Sequence, residues 1–503
     1  PLVVDRRFGG DEGAGVTVNG VEAEMIVVDS DQERGAFVAR SPEGVEVVIN
    51  PDPAEGLACG DALVTNEPGQ LAFPHTHIVM AACANGTSGS DLYAAGVTSE
   101  GGRFEAQDNA DGTVSLSFTD AVFESMSGLT TTGATVLTGL DELPVSILYY
   151  RQQLQWLGGM GIIVLAVAVL PMLGVGGMQL YRAETPGPVK DTKLTPRITE
   201  TAKALWYVYL AFTITCMVGY RIAGMGWFDA LCHAFSTVAI GGFSTHDMSI
   251  AHFDSAFVDL VAVFFMFVAG IKFSLHFFAW RYVSIKHYFQ DQEFRAYSII
   301  LIVLSAVVIA SLYLYRGFAD PFDTFLDGLF QSVSIATTTG FTTENFAIWP
   351  AALPALLIFA SFIGGSAGST AGGIKVIRWL LVYKQGVREI ARLVHPSAEI
   401  PVKLGNKAVP SRVVEAVWGF FSVYIMVFGL MLLAMMSTGL DQVTAFSAVA
   451  ATLNNLGPGL GGVASGFMDL TDAAKWISVA GMLLGRLEIF TLLVLITPTF
   501  WRT

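Results

Sequence analysis

Long apolar runs recur along the chain beyond residue 118 and are separated by polar segments. Seven of them have the length of about 20 residues that is needed to cross a bilayer core of ~30 Å, and they predict membrane-spanning helices. These runs are 147–175, 203–224, 256–283, 297–316, 352–383, 414–437 and 474–500. Several contain Gly or Pro, which membrane helices tolerate where neighbouring groups satisfy the freed backbone.

Four shorter apolar stretches lie between the long ones, at 120–132, 229–241, 327–339 and 444–456. Each is too short to cross the bilayer, and each is followed by a glycine and a polar loop, which is typical of a re-entrant half-helix. Aligned on the glycines, a potential N-cap residue stands 13 positions earlier in every copy. The glycines are Gly133, Gly242, Gly340 and Gly457, and the predicted N-caps are Asp120, Asp229, Asp327 and Thr444.

The loops that follow the half-helices are rich in residues with neutral oxygens. They cover 130–135 (TTTGAT), 239–244 (AIGGFS), 337–342 (TTTGFT) and 454–459 (NNLGPG). A cation stripped of water needs several neutral oxygens at once, and a turned backbone can supply its carbonyls. One such stretch would be an ordinary helix-end loop. Four equivalent copies in one polytopic chain predict a pore lined by four loops.

Composition excludes an ordinary soluble protein, since 53% of the 503 residues are hydrophobic and 14% are charged. The net charge of −15 belongs to the N-terminal part, because residues 1–118 hold 19 acidic and 5 basic side chains. The four cysteines show no metal-ligand spacing. No basic segment followed by an apolar one opens the chain, so a secretory signal peptide is not expected.

The distribution of basic residues predicts the orientation in the membrane. Segments 181–203, 281–295 and 375–412 are rich in Lys and Arg, whereas 225–254 and 438–473 have neither. The basic segments are therefore cytoplasmic, and the four loops open outward. Arg151 and Arg316 are exceptions on the outer side, where we expect them at the membrane interface. Carboxylates of the outer loops would concentrate cations at the mouth; they are Asp247, Asp254, Asp441, Asp469 and Asp472.

The four loops, with segments 156–162 (WLGGMGI), 183–188 (AETPGP) and 485–490 (GRLEIF) and with His246-Asp247, resemble the TrkH/KtrB superfamily of potassium transporters. The similarity covers about residues 119–503 and is greater to the bacterial TrkH branch. It implies four repeats of span (M1), pore helix and span (M2) around a pseudo-fourfold pore in the bacterial cytoplasmic membrane. It also implies a homodimer and a cytoplasmic ring of the regulator TrkA, which would carry ATP or ADP and NAD. No nucleotide cofactor on this chain, no nucleic-acid partner and no enzymatic activity are expected.

The predicted fold is therefore an all-α polytopic membrane protein of four repeats, preceded by an acidic, possibly β-rich segment. The predicted boundaries are 1–118 for that segment, then 119–180, 181–295, 296–400 and 401–503 for the repeats. The first repeat has no recognisable M1. Residues 15–65 alternate Val or Ile with polar residues, which favours short strands. A fused regulatory domain, a disrupted gene start and a shortened first repeat all remain open as explanations.

The resemblance assigns the potassium-binding residues, whose backbone carbonyls would form a selectivity filter. They are Thr131, Thr132, Gly133, Ile240, Gly241, Gly242, Thr338, Thr339, Gly340, Asn455, Leu456 and Gly457. Family members with Ser in place of the first glycine admit sodium, so Gly133 favours potassium. A sodium- or proton-coupled symporter using the same pore stays an alternative. A non-conducting variant that lacks the first M1 is another.

Segment 364–373 (GGSAGSTAGG) interrupts an apolar run with small residues, and such a segment does not hold a rigid helix. From the residues alone it is either a close helix-packing surface or a broken backbone beside a cavity. The resemblance makes it an intramembrane gating loop, with Gly364, Gly365, Gly368, Gly372 and Gly373 as its flexible positions.

Two cations fall inside apolar runs, where a charge is expensive and indicates function. Arg486 lies in the last run, and we expect it to face the pore cavity, repel potassium and hydrogen-bond the gating loop. Lys272 either pairs with a pore-lining carbonyl or extends to the interface. Ser274 and His276 are the best candidates for an enzyme site, but they lie two residues apart and would not face each other on a helix.

Overall fold

A computed structural model of the chain describes residues 116–164, 198–316, 321–350, 352–405, 407–487 and 489–490, together with eight strands before them. The helices are α1 (Phe118–Leu129), α2 (Val145–Val164), α3 (Ile198–Ala223), α4 (Trp227–Ala239), α5 (Ala256–Ala269), α6 (Phe273–Arg281), α7 (Lys286–Gln290), α8 (Gln292–Arg316), α9 (Pro321–Thr337), α10 (Leu353–Ser361), α11 (Val376–Val394), α12 (Ser411–Ser437), α13 (Gln442–Leu453) and α14 (Asp472–Arg486). Segment 183–188 of the family motifs and the end of the last predicted run lie outside the described residues.

The chain forms two compact units. The first comprises Pro1–Ala121 and Glu142–Ile147, and the second Val122–Asp141 and Leu148–Thr503. Strands of the first unit form two antiparallel sheets, in the orders β1-β2-β3-β4-β5 and β6-β7-β8. They are β1 (Val4–Asp5), β2 (Val16–Val18), β3 (Val21–Asp29), β4 (Arg34–Arg40), β5 (Glu46–Ile49), β6 (Ala62–Thr65), β7 (His77–Cys83) and β8 (Leu92–Val97). A hairpin of β9 (Lys403–Leu404) and β10 (Lys407–Ala408) belongs to the second unit.

Among the described residues, three helices are long and apolar enough to cross a bilayer unbroken: Lys203–Ala223, Gln292–Tyr315 and Ser411–Ser437. They match three of the predicted runs. The run predicted at 256–283 is a bent pair instead, since α5 and α6 meet at 93°. The run at 352–383 is likewise broken between α10 and α11, where the small-residue segment replaces a helix. Both corrections follow from backbone breaks at Gly-containing sequence.

Each predicted half-helix exists, as α1, α4, α9 and α13. Their starts differ from the predictions. Asp229 lies in the first turn of α4, whose N-cap is Gly226, and Asp441 rather than Thr444 caps α13 through the backbone N–H groups of Val443 and Thr444. Asp120 likewise lies in the first turn of α1, and Asp327 lies inside α9, so the N-cap predictions were wrong. An acidic side chain near a helix start can stabilise the first turn without being the capping residue.

Flanking spans enclose three of the half-helices. In the second unit α4 packs against α3 and α5, α9 against α8, α5 and α10, and α13 against α12 and α14. These three half-helices are buried over most of their length, and all residues of α4 from Cys232 to Ala239 are buried. This packing brings the C-terminal ends of the half-helices, and the loops after them, into the protein interior.

Candidate functional site

Every half-helix ends in the same hydrogen-bonded turn. The backbone N–H of the residue before each glycine donates to the carbonyl of the residue six before that glycine. The four bonds are Thr132 to Ser127 at 2.9 Å, Gly241 to Ser236 at 2.9 Å, Thr339 to Ser334 at 2.8 Å and Leu456 to Ala451 at 2.8 Å. Identical turns in four segments of different sequence show that the internal repeat is structural.

The backbone after each turn alternates in handedness. The residue two before each glycine and the glycine itself both have positive φ, and the residue between them does not. The first set is Thr131 (51°), Ile240 (54°), Thr338 (67°) and Asn455 (54°), and the glycines are Gly133 (81°), Gly242 (80°), Gly340 (84°) and Gly457 (94°). Alternating handedness turns successive peptide carbonyls toward one side of the strand, the arrangement that a carbonyl-lined pore requires.

The four loops close into a ring in cyclic order. A Cβ on Gly133 would collide with the Gly241 carbonyl oxygen of the second loop, and the same relation repeats from each loop to the next. The other three pairs are Gly242 with Thr339, Gly340 with Leu456, and Gly457 with Thr132, the last at 2.7 Å. The contact from the fourth loop back to the first closes the ring, and only glycine fits at its four junctions.

The exposed positions are those expected if an open central axis passes through this ring. Gly133, Gly242 and Gly340 are partly exposed, although the residues directly before and after each of them are buried. The remaining predicted filter residues are buried in the loop walls. The structure therefore brings all twelve predicted binding residues into one ring of neutral backbone oxygens.

Segment 364–373 lies against the inner side of this ring. Its Gly372 N–H donates to the Thr338 hydroxyl at 2.7 Å, and its Gly373 N–H donates to the Asn454 carbonyl at 3.0 Å. The Thr370 hydroxyl donates to the Val238 carbonyl at the end of α4, at 2.9 Å. These contacts join the segment to the ends of three half-helices, so it is neither a helix nor a simple packing surface between spans.

Arg486 reaches the same segment. Its Nη1 donates to the Thr370 carbonyl at 2.8 Å, and the residue is 8% exposed. Its Nε and Nη2 are buried without a hydrogen-bond partner among the described residues. Such donors need water, as a hydrated cavity provides.

The comparisons with known proteins agree with this geometry. The TrkH family, described as a cation transport protein, matches residues 96–502. The chain belongs to the TrkH family. A TrkH of Vibrio parahaemolyticus, named a Trk system potassium uptake protein, is 61% identical over 390 residues, which are 77% of this chain and 80% of that protein. Its Escherichia coli counterpart is 57% identical over 387 residues, 77% of this chain and 80% of the relative.

The same family includes a solved structure. The crystal structure of the potassium transporter TrkH from Vibrio parahaemolyticus is similar with a TM-score of 0.71 and 57% sequence identity, covering 77% of this chain and 80% of that one. A more distant relative, the Escherichia coli potassium uptake protein TrkG, is 44% identical over 394 residues, 78% of this chain and 81% of the relative. The predicted family, helical membrane fold, membrane localisation and non-enzymatic class are thereby confirmed.

Membership of the TrkH family does not explain the buried ion pair between Glu124 and Arg151, which sequence reasoning missed. The Arg151 Nε lies 2.8 Å from a carboxylate oxygen of Glu124, and their side chains are 3% and 7% exposed. Arg151 was predicted at the membrane interface, and this prediction was wrong. A carboxylate inside the apolar half-helix α1 demands a buried partner, and the arginine supplies it.

The ion pair joins the outer parts of two filter loops. Glu124 accepts from the Thr135 hydroxyl at 3.0 Å, and Arg151 donates to the Ser244 carbonyl at 3.1 Å. The guanidinium also lies 4.2 Å from the centre of the Phe243 ring, a cation–π contact. The pair thus connects the first loop with the second.

Gln155 is a second residue that sequence reasoning missed. From α2 its amide nitrogen donates to the Gly241 carbonyl at 2.7 Å, and its amide oxygen accepts from the Ser236 hydroxyl at 2.6 Å and from the Phe243 N–H at 3.2 Å. The available signal was a group of three glutamines inside a predicted span, Gln152, Gln153 and Gln155. The hydrogen bonds of Gln155 fix the position of the second loop.

Lys272 takes neither of its predicted positions. Its Nζ lies 4.0 Å from a carboxylate oxygen of Glu293, which is buried at the start of α8. The other oxygen of Glu293 accepts from the Ala367 N–H at 2.6 Å, inside the small-residue segment. Glu293 therefore links the start of α8 to the small-residue segment and to Lys272.

The outer loops carry a compact group of Asp141, His246 and His252, whose potential ligand atoms all lie within 4.8 Å of one another. Partial burial raises the pKa of the Asp141 carboxyl, but the hydrogen bonds from His246 and from the Asp247 N–H, together with the nearby histidines, outweigh that effect and lower the pKa below its usual value. Asp141 is therefore charged at neutral pH.

Proposed function

We propose that this chain takes up potassium across the bacterial cytoplasmic membrane through the ring of four loops. The observation that carries the proposal is the cyclic contact of each filter glycine with the carbonyl before the next filter glycine, including the closing contact from Gly457 to Thr132. A closed ring of neutral oxygens replaces the hydration shell of a monovalent cation. The names of the relatives, which are potassium uptake proteins, support potassium as the ion.

The half-helices add an electrostatic contribution to the same site. α1, α4, α9 and α13 all end next to the ring with their C-termini. A helix C-terminus carries about half a negative charge, so four of them favour a cation without placing a carboxylate in its path. A neutral but polarised site of this kind binds an ion and still releases it.

The segment on the inner side of the ring is proposed as the gate. Gly372 and Thr370 tie it to the ends of two half-helices, and Arg486 ties it to α14. Because Gly364, Gly368 and Gly373 have positive φ, the segment can change its course without moving the spans. Closing the path would then need only local hydrogen-bond exchange.

Arg486 is proposed as the electrostatic part of this gate. Replacement Arg486→Ala is expected to raise potassium flux by about tenfold, because like charges ~10 Å apart at an effective dielectric constant of 20 repel by ~1.7 kcal/mol. Flux of reconstituted protein measures the effect. Arg486→Lys keeps the charge and is the matched control, so its flux should stay near the original. Original flux in Arg486→Ala would exclude the gate role.

The assembly is proposed from the family resemblance. The chain would form a homodimer whose cytoplasmic face binds a TrkA-like ring, and ATP or ADP and NAD would be bound on that partner. The basic helix α11, with the exposed Arg392, offers a surface of the expected cytoplasmic charge.

The four repeats and the N-terminal segment keep the proposed boundaries at 118, 180, 295 and 400, with 364–373 as the gate.

Rubidium uptake in cells that lack their own potassium uptake tests the function. We expect the chain to restore uptake and growth at low external potassium. Failure of an inserted, folded chain to do so would favour the alternative of a non-conducting variant. Reversal potentials under sodium and proton gradients then separate a channel from a coupled symporter, since only a symporter's potential follows the second ion.

A further inference from the structure

The outer group of Asp141, His246 and His252 has no role in the conduction proposed above. Asp141 follows the first filter loop and both histidines follow the second, so the group bridges two repeats. The His246 and His252 rings are stacked with centres 3.5 Å apart and an angle of 3° between their planes. Two imidazoles and one carboxylate within such a small volume are an unusual concentration of strong metal ligands.

The separations between the ligand atoms are close to those around a transition metal, and small side-chain rotations would make them equal. Bonds of about 2.0–2.1 Å at tetrahedral angles place two ligand atoms about 3.3 Å apart. The His252 Nδ1 lies 3.9 Å from an oxygen of Asp141, and the His246 Nδ1 is hydrogen-bonded to the same oxygen. The Asp141 and His252 side chains are 44% and 43% exposed, so both can rotate by the ångström or less that is needed.

A second observation points to the same ligand. Metal-bound imidazoles usually direct their other ring nitrogen at a carboxylate, which fixes the ring and its tautomer. The His246 Nε2 lies 3.5 Å from an oxygen of Asp229. That oxygen also accepts from the Thr245 hydroxyl at 2.8 Å, so its position is fixed. The Asp229 carboxylate thus lies close to the second ring nitrogen of His246, which is buried and has no hydrogen-bond partner among the described residues.

We propose that Asp141, His246 and His252 form a site for a divalent transition-metal ion of the zinc class at the outer end of the filter. The donor set of two nitrogens and one carboxylate suits zinc, copper or nickel and does not suit potassium or magnesium, which prefer oxygen. A bound ion would link the loops of the first two repeats. Water would complete its coordination shell.

Metal titration of the purified full chain in lipid nanodiscs tests the site. Zinc is titrated by calorimetry, and cobalt is used as a coloured substitute whose visible absorption reports nitrogen and oxygen ligation. We expect His252→Gln to remove one bound metal per chain. The His252 side chain is exposed enough for the variant to fold. Asp229→Asn is expected to weaken binding by about 10–100-fold, as loss of an outer-shell partner does.

His395→Gln is the matched control, since His395 is exposed at the end of α11 and belongs to none of the loops that carry the group. It should bind zinc like the original chain, and a metal-dependent rise in melting temperature should be lost only in His252→Gln. Equal stoichiometry and affinity in the His252→Gln and original chains would overturn the proposal. Absence of zinc binding to the original chain would overturn it as well. Neither result depends on ion transport.

Discussion

Replacement of Gly340 with alanine is expected to abolish potassium flux. The new methyl group would collide with the Leu456 carbonyl oxygen and lie 2.7 Å from Cδ of Pro458, and neither the backbone nor the proline ring can move aside. The third and fourth loops would therefore separate and widen one side of the ring. Flux should fall by at least about tenfold, since a loss of only ~1.4 kcal/mol in ion binding has that effect.

Gly139→Ala is the control for this variant. Gly139 has a similar positive φ of 69°, but a Cβ there would meet nothing within 4 Å. Both variants pay the backbone strain of about 1–2 kcal/mol, and only Gly340→Ala adds the collision. Rubidium flux into proteoliposomes, normalised to the amount of folded protein, compares them. Equal flux in the two variants would mean that backbone strain, and not ring closure, decides the result.

Glu124→Gln is expected to destabilise the protein more than any other single change of charge proposed here. It removes the counter-charge of Arg151 and leaves a guanidinium buried without compensation, which costs about 3–5 kcal/mol. Because the pair joins the first filter loop to the second, ion selectivity should fall together with thermal stability. Melting followed by tryptophan fluorescence and flux ratios of rubidium to sodium measure both effects.

The exposed pair of Arg388 and Glu389 provides the comparison. Their atoms lie 3.0 Å apart, but the Glu389 side chain is 50% exposed, and a surface pair contributes only about 0–1 kcal/mol. Glu389→Gln should therefore leave melting almost unchanged. The double variant Glu124→Gln with Arg151→Met removes both buried charges and should recover much of the lost stability. If Glu124→Gln and Glu389→Gln have the same melting temperature, the buried ion pair does not contribute to the stability of the protein.

The half-helices and the closed ring could be predicted from the sequence because their causes are local. An apolar stretch that is too short to cross the bilayer and is followed by a glycine with positive φ forms a half-helix and a turned loop wherever it occurs. Gly133 and Gly457 show this, since very different neighbouring residues give the same turn. The motifs outside the loops then indicated the family.

The contacts behind the filter could not be predicted, because they join residues distant in sequence. Glu124 and Arg151 lie on different helices, and Glu293 meets Lys272 only because α5 and α6 are bent against each other. Glu124, Arg151 and Lys272 were visible as charges in apolar stretches, which indicates that a partner exists but not which one. Gly270 permits the break between α5 and α6, but a single glycine in an apolar run does not predict the 93° angle.

The closing junction of the ring has a consequence for biosynthesis. Asn455 of the fourth loop donates from its side-chain amide to the Thr132 hydroxyl of the first at 3.0 Å, across 323 positions of sequence. Contacts of such high sequence separation form late, after the entropy of closing the long loop has been met. A chain still emerging from the ribosome has the first three loops but lacks their last neighbour. The ring of four loops is therefore completed in one step, once the fourth repeat has been synthesised, and a truncated chain would have an open ring.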